Sequence, residues 1–342
     1  MNEPSEISPI IKEKAPEILA EIKKAKSILL HCHPSPDPDS VGSALAMKFA
    51  LEQMGKKATV IRGDSEIPRG YKNFPGLNEI VPKRFDEISL GDYDLFVSLD
   101  SANESQVSRY DTPKFPLKII TIVIDHHPTN KGYGDINLVE PSCSSLCQIL
   151  YELFELWKIN LTKEIATNLF IGIYTDTGSF KYQQTTHKTL SIAAHLTEIV
   201  PDYHGLIADI ENSNTPKFMT YDGIALSSIE TFFNDKLAIS CVPWESLKDK
   251  NIPENDIRAS EVASFMRTVP EWGVVIAIVQ TNTSCIRLSS RTVHPEIYDV
   301  SKLMECVGGG GHKAAAAAVV NGKSFGEVKE LVVVRAKELY NL

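Results

Sequence analysis

Apolar residues in the first third of the chain come in short continuous runs separated by stretches with helical spacing, the signature of strands buried on both faces and joined by helices. Residues 27–33 read as one buried strand running into HPSPDPDSVGS, residues 94–100 (DLFVSLD) as a second, and residues 118–125 (KIITIVID) as a third. Between them, residues 40–54 carry small and apolar side chains at helical spacing, and KATVIRG at 57–63 returns to strand character. This recurrence predicts an α/β domain built on a doubly wound, mainly parallel sheet. Residues 143–157 and 161–174 read as two helices, with Asp176 just past the end of the second. Pro, Gly, Asn and Asp gather over 200–216, which places the interdomain connection at 201–216 and the two domains at 1–200 and 217–342. Beyond it, LAISCVP, GVVIAIV, SCIRLSS and AAAAAVV read as four strands, with helices at 258–267 and 324–340, forming a smaller α/β domain.

Composition narrows the class. The first 27 residues mix charge with apolar positions at helical spacing and predict an amphipathic helix rather than a signal peptide. Apolar runs such as GVVIAIV fall far short of the about 20 residues that a membrane helix needs, so a cytoplasmic protein without a membrane partner is expected. The six cysteines show no paired CxxC spacing, which fits a reducing compartment, and Cys143 and Cys147 read as small buried residues. A net charge of -9 argues against a protein that holds long duplex nucleic acid on a broad basic surface, because phosphate contacts dominate such affinity. Local positive charge for a small anion is compatible with it.

The candidate chemistry is a scattered set of hard metal ligands. His33, Asp37, Asp39, Asp100, His126 and Asp176 supply imidazole and carboxylate with no thiolate among them, a set that suits Mn²⁺ or Mg²⁺ better than zinc. Taken singly, each aspartate at a strand end also reads as a helix or turn cap, and a histidine beside it as its hydrogen-bonded partner. Their joint placement decides the matter, since the carboxyl ends of parallel strands lie along one edge, where ligands gather. Asp37 and Asp39, two residues apart, would lean to the same side of an extended segment and serve adjacent metals. Glycines 308–311 free the backbone to turn its amides toward an anion, though such a run also reads as a flexible loop. Arg291, which ends SCIRLSSR, reads either as a phosphate contact or as an exposed strand-end cation.

The pattern His33-x-x-Pro36-Asp37-x-Asp39-x-x-Gly42-Ser43, then Asp100, then Asp125-His126-His127, then Thr175-Asp176-Thr177-Gly178, resembles the four motifs of the DHH phosphoesterase family. The glycine run with His312, Lys313 and the alanines after it resembles the motif of the accessory domain called DHHA1. The nearest architecture is the branch of nano-RNases and phosphoadenosine-phosphate phosphatases, with one domain of each kind. The resemblance implies an active site in the cleft between the domains and two Mn²⁺ ions, Mg²⁺ being an admissible substitute. His33, Asp37 and Asp100 would hold one ion, and Asp39, Asp100, His126 and Asp176 the other, with Asp100 bridging. Asp125 would orient a ligating imidazole, and His127 would contact phosphate or give a proton to the leaving oxygen; its bland alternative is a satisfied structural histidine. Arg291, Gly309, Gly310, Gly311 and His312 would bind the substrate, while the pattern gives His31 no role.

Ser35, Pro38 and Ala317 depart from the family's usual Asn, Gly and Gly. The expected activity is hydrolysis of short oligoribonucleotides to mononucleotides, or of the 3′-phosphate of 3′-phosphoadenosine 5′-phosphate, by a two-metal phosphoesterase. The rivals are a single-strand DNA exonuclease, a linear or cyclic dinucleotide phosphodiesterase, and a catalytically silent nucleotide sensor, which missing ligands would favour. The expected partners are a short oligonucleotide or nucleoside bisphosphate, and a homodimer is compatible with this reading.

Overall fold

The computed structural model describes residues 6–110, 113, 115 and 118–342. The chain divides into two compact units between Ser213 and Asn214. The first begins with helix α1 (Pro9–Lys24), whose Ile11, Ala15, Ile18 and Ile22 recur at helical spacing and are buried. This is the amphipathic helix expected at the start of the chain; residues 1–5 of that expectation lie outside the described residues. Strand β1 (Ser27–His31), helix α2 (Pro38–Gln53), β2 (Lys57–Ile61), β3 (Leu95–Leu99), β4 (Ile120–Asp125) and β5 (Ile136–Val139) follow. The strands form one five-stranded sheet in the order β2-β1-β3-β4-β5, and every pairing is parallel. Register places Leu99 beside Ile124, so Asp100 and Asp125 emerge next to each other at the carboxyl edge.

Helices α3 (Leu146–Trp157), α4 (Lys163–Asp176), α5 (His187–Ile199) and α6 (Tyr203–Glu211) complete this unit. The periodicity analysis missed β5, α5 and α6. The domain division falls inside the predicted connection at 201–216, yet Tyr203–Glu211 is a helix of the first unit and not open linker. Tyr203, Leu206, Ile207 and Ile210 have helical spacing and pack on the first core, a signal hidden by the turn-forming residues around them.

Helix α2 is buried almost all round, and small residues let α4 cross it closely. A Cβ at Gly42 would meet the Asn168 carbonyl oxygen of α4 at 2.5 Å. The crossing fixes the end of α4, and with it Asp176, relative to the start of α2.

The second unit holds α7 (Pro216–Ser227), β6 (Ile229–Phe232), β7 (Leu237–Val242), α8 (Trp244–Asp249), α9 (Ala259–Met266), β8 (Val274–Gln280) and β9 (Cys285–Arg291). It ends with α10 (Val300–Glu305), β10 (Gly310–His312), β11 (Ala315–Asn321) and α11 (Phe325–Tyr340). Its six strands run β10-β11-β9-β8-β7-β6, with β7 and β8 parallel and the other pairs antiparallel. One face packs on α10 and α11 through Leu303, Val328 and Val332, and the other on α7 and α9 through Phe218, Tyr221 and Val262. The predicted strands are the four at the centre; both edge strands, β6 and β10, were not read from the sequence. No helix among the described residues is long and apolar enough to cross a membrane.

Gly42→Ala is expected to destabilise the first unit by about 1–3 kcal/mol, because the new methyl meets backbone that cannot move aside without separating the two helices. Denaturant unfolding of the variant beside the wild type measures the loss; an unchanged midpoint would show that the crossing has slack.

Candidate metal centre

The carboxyl edge of the parallel sheet collects the acidic and histidine motifs. His33, Asp37 and Asp100 offer ligand atoms within 4.8 Å of one another, as do Asp39, His126 and Asp176, and as do Asp100, Asp125, His126 and His127. Asp100 thus stands between the groups: its Oδ2 is 3.9 Å from His33 Nε2 and its Oδ1 is 3.5 Å from His126 Nε2. Asp176 Oδ2 lies 3.4 Å from the same His126 nitrogen. Asp100 adopts a left-handed backbone, with φ of 53°, as the chain turns off β3. An aspartate tolerates that region better than most residues, and such conformations cluster at functional sites.

Helix starts hold the other two aspartates. Asp37 caps α2 with Oδ1, which accepts from the Ser40 amide at 2.8 Å, while its Oδ2 faces His33 Nε2 at 3.0 Å. The cap and ligand readings therefore describe two oxygens of one carboxylate. Asp39 is not in an extended segment as expected; it lies in the first turn of α2, and its oxygens accept from the amides of Leu146 and Cys147 at the start of α3. Pro38 opens α2 at a position where a missing amide proton is harmless, which accounts for its tolerance there. Ser35 accepts a hydrogen bond from Arg109 Nη1 at 3.2 Å.

The electrostatics call for a cation. Burial and the neighbouring Asp37 and Asp39 charges push Asp100 well above the usual carboxylate range, and burial with Asp39 pushes Asp176 up to about 8. Burial also raises Asp39. Burial works against the Asp37 carboxylate, but the His33 hydrogen bond and charge outweigh it and hold Asp37 low. Oδ1 of Asp100 and Oδ2 of Asp176 are buried and accept no hydrogen bond, leaving lone pairs that face the histidines without a proton to receive. This nitrogen and oxygen donor set fits a hard divalent ion.

A second network holds His127. Its Nδ1 donates to Asp125 Oδ1 at 2.7 Å, which raises the histidine against its burial. Burial opposes the Asp125 charge, but the His127 bond outweighs it and lowers that carboxyl. Sequence reasoning missed Asn130, whose Nδ2 donates to Asp125 Oδ2 at 2.8 Å and to the Ser101 carbonyl at 3.1 Å. One side chain thereby ties the Asp125–His127 pair to the turn that carries Asp100. In the sequence, Pro128-Thr129-Asn130 looks like ordinary turn chemistry, so only its place after the histidines marked it. Ser40 was also missed; its Oγ accepts from the His33 amide at 2.8 Å. His31 belongs to neither group. It is buried, with Nε2 3.1 Å from Ser98 Oγ, and burial lowers it to about 4, which keeps it neutral.

Within the second unit, His312 and Arg291 both lie opposite Ala315, so the two share one row and one face of the sheet. Arg291 Nη1 donates to Ser289 Oγ at 3.0 Å and to the Ser290 carbonyl at 2.9 Å. The glycine run is not an open anion loop throughout. The amides of Gly308 and Gly309 donate to the carbonyls of Glu305 and Met304 and close the end of α10, and Gly310 and Gly311 belong to strand β10. Glycine is required for packing as well: a Cβ at Gly309 would fall 2.5 Å from that of Ala318. Ala317 sits in regular strand opposite Gly310 and needs no left-handed backbone.

A family model described as the N-terminal domain of the DHH family matches residues 27–173, the stretch that contains β1 through most of α4. The chain belongs to the DHH family. Within it, the probable bifunctional oligoribonuclease and PAP phosphatase NrnA of Streptococcus mutans is 30% identical over 332 residues, covering 95% of this chain and 97% of the relative. The bifunctional oligoribonuclease and PAP phosphatase NrnA of Thermus thermophilus is 28% identical over 326 residues, covering 94% and 93%. Among solved structures, an exopolyphosphatase-related protein from Bacteroides fragilis shares the fold with a TM-score of 0.81 at 20% identity, over 97% of this chain and 98% of its own.

The raised carboxylates make metal-free stability depend on pH. Asp176 contributes stability that is fully present below its unfolded value of 3.8 and is lost as pH rises through about 8. The raised His33 and His127 act in the same direction, whereas buried His31 opposes only between about 4 and 6.5. In excess chelator, the thermal midpoint should fall as pH rises from 6.5 toward 8. Asp176→Asn should reduce the slope and saturating Mn²⁺ should remove it. A midpoint that climbs over this range would contradict the assignment.

Proposed function

We propose that this protein is a Mn²⁺-dependent phosphoesterase that hydrolyses short oligoribonucleotides to mononucleotides and removes the 3′-phosphate of 3′-phosphoadenosine 5′-phosphate. The observation that carries this reading is Asp100: a buried carboxylate with an oxygen lacking any hydrogen bond, placed between His33 on one side and His126 on the other. The relatives named as oligoribonucleases and PAP phosphatases support the substrate class, since they align over nearly the whole chain.

In this reading His33, Asp37 and Asp100 would hold one divalent ion and Asp39, Asp100, His126 and Asp176 would hold a second. Such ions, when bound, lower the pKa of a water and offset negative charge on the attacked phosphate. The chain's own groups supply the rest. Asp125 fixes the His127 imidazole with its Nδ1 proton directed at the carboxylate, which leaves Nε2 for the substrate. The raised His127 is suited to give a proton to the departing ribose 3′-oxygen. No side-chain nucleophile is needed, and Cys147, whose amide donates to Asp39, has its thiol pushed well up by burial and the Asp39 charge, which disfavours the thiolate.

The second unit is the proposed grip on the far part of the substrate. Arg291, braced by Ser289 and the Ser290 carbonyl, can hold a phosphate through parallel hydrogen bonds, with His312 on the same sheet face. Gly310 and Gly311 let the edge strand β10 come close to a ligand without a side chain intervening, and Gly309 keeps that strand against β11.

Turnover of a substrate panel in Mn²⁺ tests the reading. Asp100→Ala should abolish hydrolysis of both substrate classes while the protein remains folded, and excess chelator should do the same to the wild type. Full activity in either case would defeat the metal mechanism. On length, a chain of net charge -9 should cleave a dinucleotide faster than a single strand of roughly 20 residues, because its overall charge repels the added phosphates of a long strand. Faster initial rates on the long strand would favour the exonuclease reading.

A further inference from the structure

We propose that Tyr182 is a stacking platform for a nucleobase of the substrate, an inference that rests on the phosphoesterase reading above for the identity of the ligand. The observation begins where α4 ends. Asp176 is the last residue of that helix, and after Thr177 three successive residues, Gly178, Ser179 and Phe180, adopt left-handed backbone with φ of 57°, 61° and 63°. Serine and phenylalanine rarely occupy that region, so the turn persists only because its surroundings hold it.

The anchors are specific. The Ser179 amide donates to the Tyr174 carbonyl at 2.8 Å and the Phe180 amide to Thr177 Oγ1 at 3.0 Å. The amides of Lys181 and Tyr182 both donate to the Thr177 carbonyl at 3.0 Å. The Phe180 ring packs edge-on against Tyr174 at 5.7 Å. Thr177 itself is fully buried, so the turn is pinned to the core on its inner side.

The product of this strained turn is the position of the Tyr182 ring. The chain doubles back and lays the ring on Gly178, two residues from Asp176. A Cβ at Gly178 would lie 2.6 Å from Cε1 and 2.7 Å from Cε2, with Cζ nearer still. Near-equal distances to these three carbons, with none shorter to the hydroxyl, put Gly178 over the face of the ring rather than at its tip. One face is therefore backed by glycine backbone, yet the residue remains 49% exposed. Its hydroxyl makes no hydrogen bond among the described residues. A ring placed to fill the core would be covered.

A flat, rigid, half-open aromatic beside a candidate phosphoester centre matches the chemistry by which single-stranded nucleic acid is held, since each base presents a π face whatever its identity. Tyr182 is uncharged and adds nothing to the repulsion among the carboxylates. Stacking also tolerates any base, so the platform would not restrict the sequence of the substrate.

The test compares binding of adenosine 5′-monophosphate with that of ribose 5-phosphate, by calorimetry in Mn²⁺, for the wild type, Tyr182→Leu and Tyr182→Trp. The expected result is that Leu lowers the preference for the nucleotide over the bare sugar phosphate by about ten-fold, within the range for loss of one stacked base, and that Trp restores it. The ratio of kcat/KM for a dinucleotide to that for its abasic analogue should fall by a similar factor in the Leu variant. An unchanged preference in Tyr182→Leu, or an equal loss on both ligands, overturns the platform. If the wild type hydrolyses neither the dinucleotide nor its abasic analogue, the phosphoesterase reading fails, and the binding comparison still decides whether Tyr182 holds a base.

Discussion

Repulsion among like charges is the constraint around which the first unit is arranged. Asp100 is buried where the Asp37 and Asp39 charges raise it, and Asp176 feels Asp39, Asp100 and Asp37 in turn. Left alone, such a group would take up protons or draw apart. The sheet prevents the second response, because parallel register holds Asp100 beside Asp125 and the crossing of α2 with α4 at Gly42 fixes Asp176. A divalent cation would answer the first, and the oxygens of Asp100 and Asp176 that accept no hydrogen bond are free to meet it.

Helix termini make the arrangement tolerable. The start of α2 gives a backbone donor to Asp37, and the start of α3 gives two to Asp39, so buried carboxylates meet oriented amides where water would otherwise be. The histidines are held in kind: His33 by the Ser40 hydroxyl and His127 by Asp125, which Asn130 ties to the Ser101 carbonyl. At the site, left-handed backbone occurs where the chain leaves an element, at the turn of Asp100 and in the run from Gly178 to Phe180. Both follow directly on an element that carries candidate ligands or leads to them.

The second unit solves a different problem with the same economy of backbone. Its glycine run looked in the sequence like an anion loop, and half of it is the end of a helix. The amides at 308 and 309 close α10, and only then does the chain enter β10, where His312 joins the row of Arg291 across Ala315. Ala318 of β11 packs against that turn, since a Cβ added at Gly309 would fall 2.5 Å from its own.

The sequence by itself determined the parallel core and the set of candidate ligands. Strands β1, β3 and β4 are buried on both faces and so appear as unbroken apolar runs, and the acidic and histidine residues follow them because strand ends are where such a sheet presents side chains. It did not reveal β5, whose four residues alternate at an edge, nor α6, whose apolar stripe lies among turn-forming residues, nor the edge strand β10 inside the glycine run. At the site, residue type indicated which groups could bind a metal ion, but not how each is held. That Asp37 serves a cap with one oxygen and His33 with the other, that Asp39 faces α3, and that Asn130 reaches Ser101 are matters of segments far apart in the chain or turned by local backbone. Hydrophobic period records only which side of an element is buried; the partner on the other side of a hydrogen bond exists only once the elements have packed.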